Sequence, residues 1–253
     1  NKKIPSISYV LVDADDIVCL DHVQEGGTSW VGRGDLNENT LFRVGSCSKM
    51  FTALALMQLV ERGLVDLDTD VSVYIPGFCP ENPFVPRGEG RAGQITLRKL
   101  LSHTSGLVRE PGIGHYLDNS NPPLAATVDS IKRIPLKHDP NAGVFRYSNA
   151  GFAVVGFVVE LVSKQGFAAH LEESILNPIG MHSSSFVLTP EIRSRLAAAY
   201  MWSIQGDFPA PVFDLGGAPA GNLYASLLDM AEFVKFLIRG GCTSTGLAII
   251  KPA

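Results

Sequence analysis

Apolar positions along the chain predict several helices and a few short strands. The strongest helix is predicted over residues 46–62, where almost every face carries an aliphatic or aromatic side chain and Gly63 supplies a stop. A helix that is apolar nearly all round is typical of a buried position. We therefore expect a central, buried helix with Ser46 at its beginning, where free backbone N–H groups favour negative charge.

The same patterns predict one hairpin and several further helices. Residues 8–12 and 17–20 are short apolar runs, and the acidic turn between them indicates a hairpin. A third strand is a weaker prediction at residues 28–31. Further helices are predicted at residues 97–101, 127–134, 150–164, 168–176 and 226–239, the last with Ser226 and Asp229 as a capping pair.

The composition is that of a folded protein. Hydrophobic residues make up 45% of the 253 positions and charged residues 18%, which argues against disorder. The net charge is −4 and the lysines and arginines are scattered, so a nucleic-acid partner is not expected. No apolar stretch reaches the roughly 18 residues that span a bilayer, so no transmembrane segment is predicted. Because the chain opens with Asn1, we interpret it as a mature or trimmed segment.

Cysteine and histidine spacing gives no sign of a metal or cofactor site. The cysteines form no C-x-x-C pair and the histidines no H-x-x-x-H pattern, so we expect plain, buried or partly buried thiols. His103 is expected to be a structural histidine in a turn. Tyr116, Trp202 and Tyr224 lie in loop-like stretches and are minor candidates for lining a cleft. The four cysteines are Cys19, Cys47, Cys79 and Cys242.

Ser46 and Lys49 form the pattern S-x-x-K. At this spacing on a helix, both side chains lie on one face about one turn apart. A serine hydroxyl becomes a good nucleophile when a neighbour takes its proton, and a lysine with a lowered pKa can do so. The pattern occurs in β-lactamases and penicillin-binding proteins, but an N-cap serine beside a solvated lysine is the alternative. No G-x-S-x-G surrounds Ser46, which disfavours an α/β-hydrolase nucleophile elbow.

Tyr147 and Asn149 are the downstream partners that make this pattern specific. Alone, they could be a buried tyrosine and an asparagine that caps the next helix. Together with the residues around them, Tyr147 and Asn149 belong to one of four sequence segments, here called phrases, that follow one another in a fixed order. These phrases are FRVGSCSKMFTA at 42–53, LLSHTSGL at 100–107, FRYSNAGF at 145–152 and PAGNLY at 219–224.

In these phrases the chain resembles the serine β-lactamase and penicillin-binding-protein superfamily. The resemblance is to its class C-like branch, which also contains D-aminopeptidases and carboxylesterases. It implies an α+β fold in which a helical subdomain packs on a mostly antiparallel sheet. On this resemblance, residues 1–253 form a single domain. The hairpin 6–32 and helix 46–62 belong to its sheet part, and the helical subdomain covers about 64–225.

The resemblance also implies roles for individual residues. Ser46 is the nucleophile that becomes acylated, and its backbone N–H is one oxyanion donor. Lys49 helps to deprotonate Ser46, and Tyr147 acts as general base and acid, although which of the two is the base stays open. Asn149 hydrogen-bonds the substrate amide or Lys49.

The activity implied is that of a serine hydrolase that forms an acyl-enzyme on an amide, β-lactam or ester carbonyl. A carboxylesterase of the same fold is one alternative, and a catalytically inert binding or scaffold protein is another. The expected ligand is a small-molecule or peptide-like substrate, with no cofactor and no metal. The family resemblance favours a periplasmic or extracellular location.

One family feature is missing. The third motif, Lys-Thr-Gly or a variant such as His-x-Gly, lies on a C-terminal strand that supplies the second oxyanion donor, and residues 244–246 lack its cation. We therefore expect a C-terminally truncated domain and an incomplete sheet; the missing strands belong to a second chain or a further segment, or the C-terminal part has been lost. Loss of one oxyanion donor typically costs roughly 2.7–4 kcal/mol of transition-state stabilisation.

Overall fold

A computed structural model of the chain describes residues 6–24, 36–85 and 94–251. Its contacts divide the chain into two compact units. The first consists of Asn1–Val44, Leu176–Phe213 and Leu223–Ala253, and the second of Gly45–Ile175 and Asp214–Asn222.

The elements of the described residues are nine α-helical segments and six strands. The helices are α1 (Ser48–Glu61), α2 (Leu97–Leu101), α3 (Leu124–Ile131), α4 (Asn149–Ser163), α5 (Phe167–Leu171), α6 (Asn177–Ile179), α7 (Pro190–Arg195), α8 (Ala218–Gly221) and α9 (Leu227–Ile238). The strands are β1 (Ser6–Val12), β2 (Ile17–Gln24), β3 (Leu41–Arg43), β4 (Tyr200–Ser203), β5 (Gly206–Pro209) and β6 (Tyr224–Ser226).

The first unit holds all six of these strands, as three antiparallel pairs: β1–β2, β3–β6 and β4–β5. The predicted hairpin is confirmed as β1–β2, with Ser6 paired to Gln24. Asp13 closes its turn, because Asp13 Oδ1 accepts backbone N–H bonds from Asp15 and Asp16 at 2.8 and 2.7 Å. The capping pair of α9 is also confirmed, since Ser226 Oγ accepts the Asp229 N–H at 3.1 Å.

The pairing of β3 with β6 builds the core of this unit. Tyr224 on β6 lies opposite Arg43, is fully buried, and packs with Leu41, Ile192 and Leu196. The Arg43 guanidinium carbon lies 5.6 Å from the centroid of the Tyr224 ring. Tyr224 is therefore a core residue here, because its strand is covered on both faces.

The second unit is helical and is centred on α1 and α4, which pack against each other and against α8. Residues along α4 from Ala150 to Val155 are all buried, as are Phe51 and Leu56 on α1. The sequence-based division grouped helix 46–62 with the strands, whereas the contacts group α1 with the helices. The reason is that its apolar surface packs on α4 and α8, neither of which lies in the strand-bearing unit.

Several predictions differ from the observed elements in detail. The helix expected at 127–134 begins earlier, at Leu124, directly after Pro123. The helix expected at 168–176 is α5 followed by a π-helical turn, Glu172–Leu176, and then α6, whose Pro178 is tolerated in the first turn of a helix. The strand expected at 28–31 lies outside the described residues.

The cysteines depart from expectation. Cys19, Cys47 and Cys79 are exposed rather than buried, and Cys242 is partly buried; all four are free thiols. Across the described ranges, no single helix is long and apolar enough to cross a membrane. Two consecutive helical stretches, Asn149–Ser163 and Phe167–Ile179, meet that criterion only when taken together, and they are bent by 79°.

Candidate active site

Ser46 lies in a 3₁₀ turn, Gly45–Cys47, immediately before α1. The helix itself begins two residues later than predicted, at Ser48. Gly45 has a φ of 55°, a left-handed conformation in which glycine avoids the steric cost of a side chain. Ser48 Oγ donates to the Gly45 carbonyl at 2.6 Å, and Ser46 is left exposed at the turn.

The structure brings together the hydroxyl, the amine and the phenol that the sequence singled out. Ser46 Oγ lies 2.6 Å from Tyr147 Oη. Lys49 Nζ donates to Ser46 Oγ at 3.2 Å and to the backbone carbonyl of Ala220 at 2.7 Å. All of these groups belong to the second unit. The arrangement gives the Ser46 oxygen a cationic donor on one side and a phenol oxygen on the other.

Lys49 is buried, with 7% of its surface exposed. Burial lowers its pKa, because removal from water disfavours the charged form. The hydrogen bond and charge of Tyr147 and the carboxylate of Glu110 act in the opposite direction, and Arg109 lowers the pKa further. Lys49 Nζ also lies 4.8 Å from the Tyr147 ring centroid and 5.6 Å from that of Phe152, which is cation–π distance.

His103 holds the segment that carries Tyr147. Its Nδ1 accepts the Ser148 N–H at 3.1 Å, and its carbonyl accepts the Arg146 N–H at 2.7 Å. Its ring centroid lies 4.5 Å from that of Tyr147. Burial, with a smaller contribution from the charge of Lys49, lowers the pKa of His103 and favours its neutral form. These contacts agree with the structural role expected from the sequence.

Asn149 is the first residue of α4, not its cap. Ser148 is the N-cap, since its Oγ accepts the Gly151 N–H at 2.8 Å, so the idea that Asn149 caps this helix is wrong. The side chain is therefore free for other contacts. Asn149 Nδ2 donates to Glu110 Oε1 at 2.7 Å, while Asn149 Oδ1 is buried and has no hydrogen-bond partner among the described residues.

Sequence reasoning missed Arg109, Glu110 and the Ala220 carbonyl. Arg109 accepts the Asn149 and Ala150 N–H groups on its carbonyl at 2.7 and 3.1 Å. Its guanidinium carbon lies 5.2 Å from the Tyr147 ring centroid. The sequence offered one clue to Arg109 and Glu110: they form a charged pair between the segment 100–107 and Pro111. A backbone carbonyl, by contrast, leaves no trace in residue type.

A small cavity lies beside Asn149. Glu110, Tyr116, Asn149, Leu215 and Ala220 contribute to its walls. Of the three aromatic residues considered for a cleft, Tyr116 thus lines a cavity. Trp202 is instead largely exposed on β4, outside this unit.

Residues 244–246 do not form the family's third motif. They lie in a turn after α9, in which the Gly246 N–H donates to the Thr243 carbonyl at 3.0 Å. A hydrogen bond of 2.9 Å joins the Thr243 and Thr245 hydroxyls. The second oxyanion donor is therefore not assigned to any described residue, and the Ser46 N–H remains a predicted first donor.

The comparison with protein families covers nearly the whole chain. The family model for beta-lactamase matches residues 2–250. The chain belongs to the beta-lactamase family. Its helices and small antiparallel sheets are those of the β-lactamase/DD-peptidase fold, so the α+β prediction is confirmed.

Two curated relatives and one solved structure illustrate the family. A Homo sapiens protein named beta-lactamase-like 1 is 31% identical over 94% of this chain and 47% of its own length. Penicillin-binding protein 4 of Amycolatopsis lactamdurans is 28% identical over 96% of this chain and 62% of its own. D-amino acid amidase from Ochrobactrum anthropi SV3, in complex with D-phenylalanine, is 24% identical with a TM-score of 0.74 over 93% of this chain and 66% of that one. The chain thus spans about half to three-fifths of these two curated relatives.

Proposed function

We propose that this chain is a serine hydrolase that forms an acyl-enzyme at Ser46. The observation that carries the proposal is the position of Ser46 Oγ, 2.6 Å from Tyr147 Oη and 3.2 Å from Lys49 Nζ. A nucleophile within hydrogen-bond reach of an oriented base is the arrangement that acyl transfer requires. Membership of the beta-lactamase family supports the same chemistry.

In the first step Ser46 Oγ attacks the carbonyl carbon of the substrate. Its proton passes to the Tyr147 oxygen, which for this step acts as a phenolate. A C–O bond forms, and the negative charge moves to the carbonyl oxygen. The Ser46 N–H is the donor that we propose for this charge. Collapse of the intermediate breaks the bond to the leaving group, which takes the proton back from Tyr147.

In the second step water attacks the acyl-enzyme. Tyr147 takes a proton from the water, the ester bond to Ser46 breaks, and the proton returns to Ser46 Oγ as the acid is released. Because Lys49 donates to Ser46 Oγ and to the Ala220 carbonyl, it fits the part of a fixed cation better than that of a mobile base. We therefore assign the proton transfers to Tyr147. Lys49 supplies a positive electrostatic field at Ser46.

The substrate class we propose is a small or peptide-like acyl donor with an amide or β-lactam carbonyl. A penicillin-binding relative and an amidase of the same fold support this choice. A carboxylesterase activity at the same serine is the alternative. The geometry of the site does not distinguish these two activities, because both form an acyl-enzyme at Ser46. They are distinguished by comparing the turnover of amide or β-lactam substrates with that of esters.

Covalent labelling tests the nucleophile. The protein is incubated with a fluorescent penicillin and, separately, with a short-chain p-nitrophenyl ester, and the adduct is measured by intact mass and located by peptide mapping. We expect one acyl group on Ser46 and none in Ser46→Ala. Ser194→Ala is the matched control, since Ser194 Oγ donates to the Glu191 carbonyl at 2.7 Å within α7, in the other unit, and this variant should label normally.

The Tyr147→Phe variant tests the base. It removes the oxygen beside Ser46 but keeps the ring against His103, so the fold should be retained. We expect the rate of acylation to fall by about 10²–10⁴-fold, the usual contribution of a general base. Unchanged acylation would move the role of base to Lys49, and absence of any adduct on the parent protein with both probes would favour an inert binding protein.

A further inference from the structure

His103 holds the backbone on both sides of Tyr147. Its carbonyl accepts the Arg146 N–H at 2.7 Å, and its Nδ1 accepts the Ser148 N–H at 3.1 Å. These two bonds flank Tyr147, whose oxygen lies 2.6 Å from Ser46 Oγ. Because residue 147 lies between two neighbours tied to the same histidine, the direction of its side chain depends on His103.

His103 is itself fixed at the end of α2. Its N–H donates to the Leu100 carbonyl at 3.2 Å, and its φ of 60° is the left-handed conformation that often follows a helix. Histidine is enriched in that conformation relative to most residues other than glycine. Its ring centroid lies 4.5 Å from that of Tyr147 and 5.3 Å from that of Phe152. Backbone and ring packing together keep Nδ1 directed at the Ser148 N–H.

The bond to Ser148 requires a neutral imidazole. A backbone N–H only donates, so Nδ1 must be the unprotonated nitrogen and Nε2 carries the proton. Protonation of Nδ1 would set two N–H donors against each other, and this bond would be lost. The bond from Arg146 would remain, because it goes to the carbonyl and not to the ring. One of the two ties on the Tyr147 segment therefore depends on pH.

The electrostatic surroundings oppose a positive charge on this ring. The charged and titratable side chains of the segments around it are Lys49 on α1, Arg98 and Lys99 on α2, Arg109 and Glu110 after α2, and Arg146 and Tyr147 before α4. In this set Glu110 is the only carboxylate. Burial, and then the charge of Lys49, lowers the pKa of His103 below its ordinary 6.5. The ring is therefore neutral at pH 7 and gains its charge only in acid.

We propose that His103 is a positioning residue that keeps the Tyr147 oxygen beside Ser46 only while its imidazole is neutral, so that acid reversibly slows acylation. The effect on acylation rests on the proposed function, whereas the hold on Tyr147 does not. His103 acts through the backbone of Ser148 and is given no contact with the substrate. The activity thus depends on pH through the placement of the base.

NMR of the parent chain tests the hold without any substrate. The ring nitrogens of His103, the Ser148 amide and the Tyr147 ring are followed from pH 8 into the acid range, with circular dichroism to show where unfolding begins. We expect the Nδ1 shift to report protonation with a midpoint below pH 6.5. The Ser148 amide and the Tyr147 ring should move with the same midpoint, because the bond to Ser148 is lost as the ring is charged.

Variants at position 103 test the effect on acylation. His103→Asn keeps an acceptor near the position of Nδ1, tolerates a positive φ and does not titrate, so at pH 8 it should acylate at close to the parent rate. The ratio of parent to His103→Asn rates cancels any limb that both share, and it should fall in acid with the NMR midpoint. His103→Phe keeps a ring against Tyr147 but leaves the Ser148 N–H unpaired, and it should acylate about tenfold more slowly at pH 8.

His182→Asn is the matched control. It removes an exposed histidine in the other unit, whose Nδ1 lies 3.4 Å from Asn177 Oδ1, and it should keep the parent pH profile. If His103→Phe does not fold, the NMR titration and the His103→Asn ratio still decide the matter.

A His103 ring that stays neutral until the chain unfolds would overturn the proposal, as would a Ser148 amide that does not follow the ring. So would a parent to His103→Asn ratio that is constant with pH. If the parent forms no adduct at Ser46, the proposed hydrolase activity fails, while a shared midpoint of His103, Ser148 and Tyr147 still supports the hold. If acylation proceeds but that midpoint is not shared, the hydrolase activity stands and the role of His103 fails.

Discussion

At the scale of single residues, spacing predicted that Ser46 and Lys49 share one face, and the family segments around them made the pair specific. Ser46 and Lys49 are one helical turn apart, and the structure places their polar atoms 3.2 Å apart. Spacing could not show that the Ala220 carbonyl is the second partner of Lys49. Nor could it show that Glu110 bonds Asn149, because both contacts join segments that are distant along the chain.

The pH dependence of acylation should report on Lys49. Burial lowers the pKa of Lys49 below the ordinary 10.5, so this lysine loses its proton at a lower pH than an exposed one. If Lys49 acts as the charged ammonium, kcat/KM for a p-nitrophenyl ester falls as the pH rises through the lowered pKa of Lys49. In Lys49→Arg this alkaline limb should disappear from whatever activity remains, because arginine stays charged. A limb that rises with pH in the parent and is absent from Lys49→Arg would instead identify Lys49 as the neutral base.

At the scale of elements, long periodic segments were predictable and short ones were not. The apolar pattern locates α1, α4 and α9 to within two residues at either end, and Thr96 marks the start of α2 as its N-cap. The four-residue helix α8 gave no such signal, although it supplies the carbonyl that holds Lys49. A segment of one turn is too short for a hydrophobic period to appear.

The contact between α4 and α8 depends on Gly156. A Cβ added there would lie 2.0 Å from Pro219 Cγ, much closer than any real contact. We expect Gly156→Ala to lower the free energy of unfolding by about 1–3 kcal/mol, the usual cost of overpacking. Acylation should slow as well, because a shift of Pro219 also moves Ala220, whose carbonyl accepts the hydrogen bond from Lys49. Gly166→Ala is the control, because its Cβ would meet nothing within 4 Å. Equal urea midpoints for the two variants would contradict this account.

At the scale of the whole molecule, the fold class was predictable because the family phrases occur in order along the chain. The pairing of β3 with β6 was not, since Leu41 meets Ser226 across most of the sequence and each strand has only three residues. The hairpin β4–β5 was also missed. Non-local pairing leaves little local pattern, whereas the β1–β2 hairpin, whose turn is adjacent, was found.

Acid stability should depend on Asp118, which organises the loop around residues 114–120. Its carboxylate accepts the Gly114 N–H at 2.6 Å and the Ser120 N–H at 3.0 Å. Hydrogen bonds from Ser120, then from Gly114, lower the pKa of Asp118 to about 2. The stability from this group is present above the ordinary pKa of 3.8 and is lost as the pH falls towards about 2.

The measurement compares the parent chain with Asp118→Asn in urea between pH 5 and pH 2. Asparagine keeps the shape but does not titrate, so the parent should be the more stable at pH 5 and the difference should shrink as the pH falls. Asp16→Asn, in the exposed turn between β1 and β2, serves as the control and should show no such convergence. A constant difference across the range would rule out the titration of Asp118 as its source.

The tie between Lys49 and the backbone of Ala220 has an evolutionary consequence. A main-chain carbonyl is present whatever side chain the residue carries, so the anchor of the ammonium survives any replacement at 220 that is small enough for this buried site. Replacement of Ala220 by another small residue therefore leaves the hydrogen bond from Lys49 in place. A search for distant members of the family that demands alanine there would discard proteins whose lysine is held just as firmly.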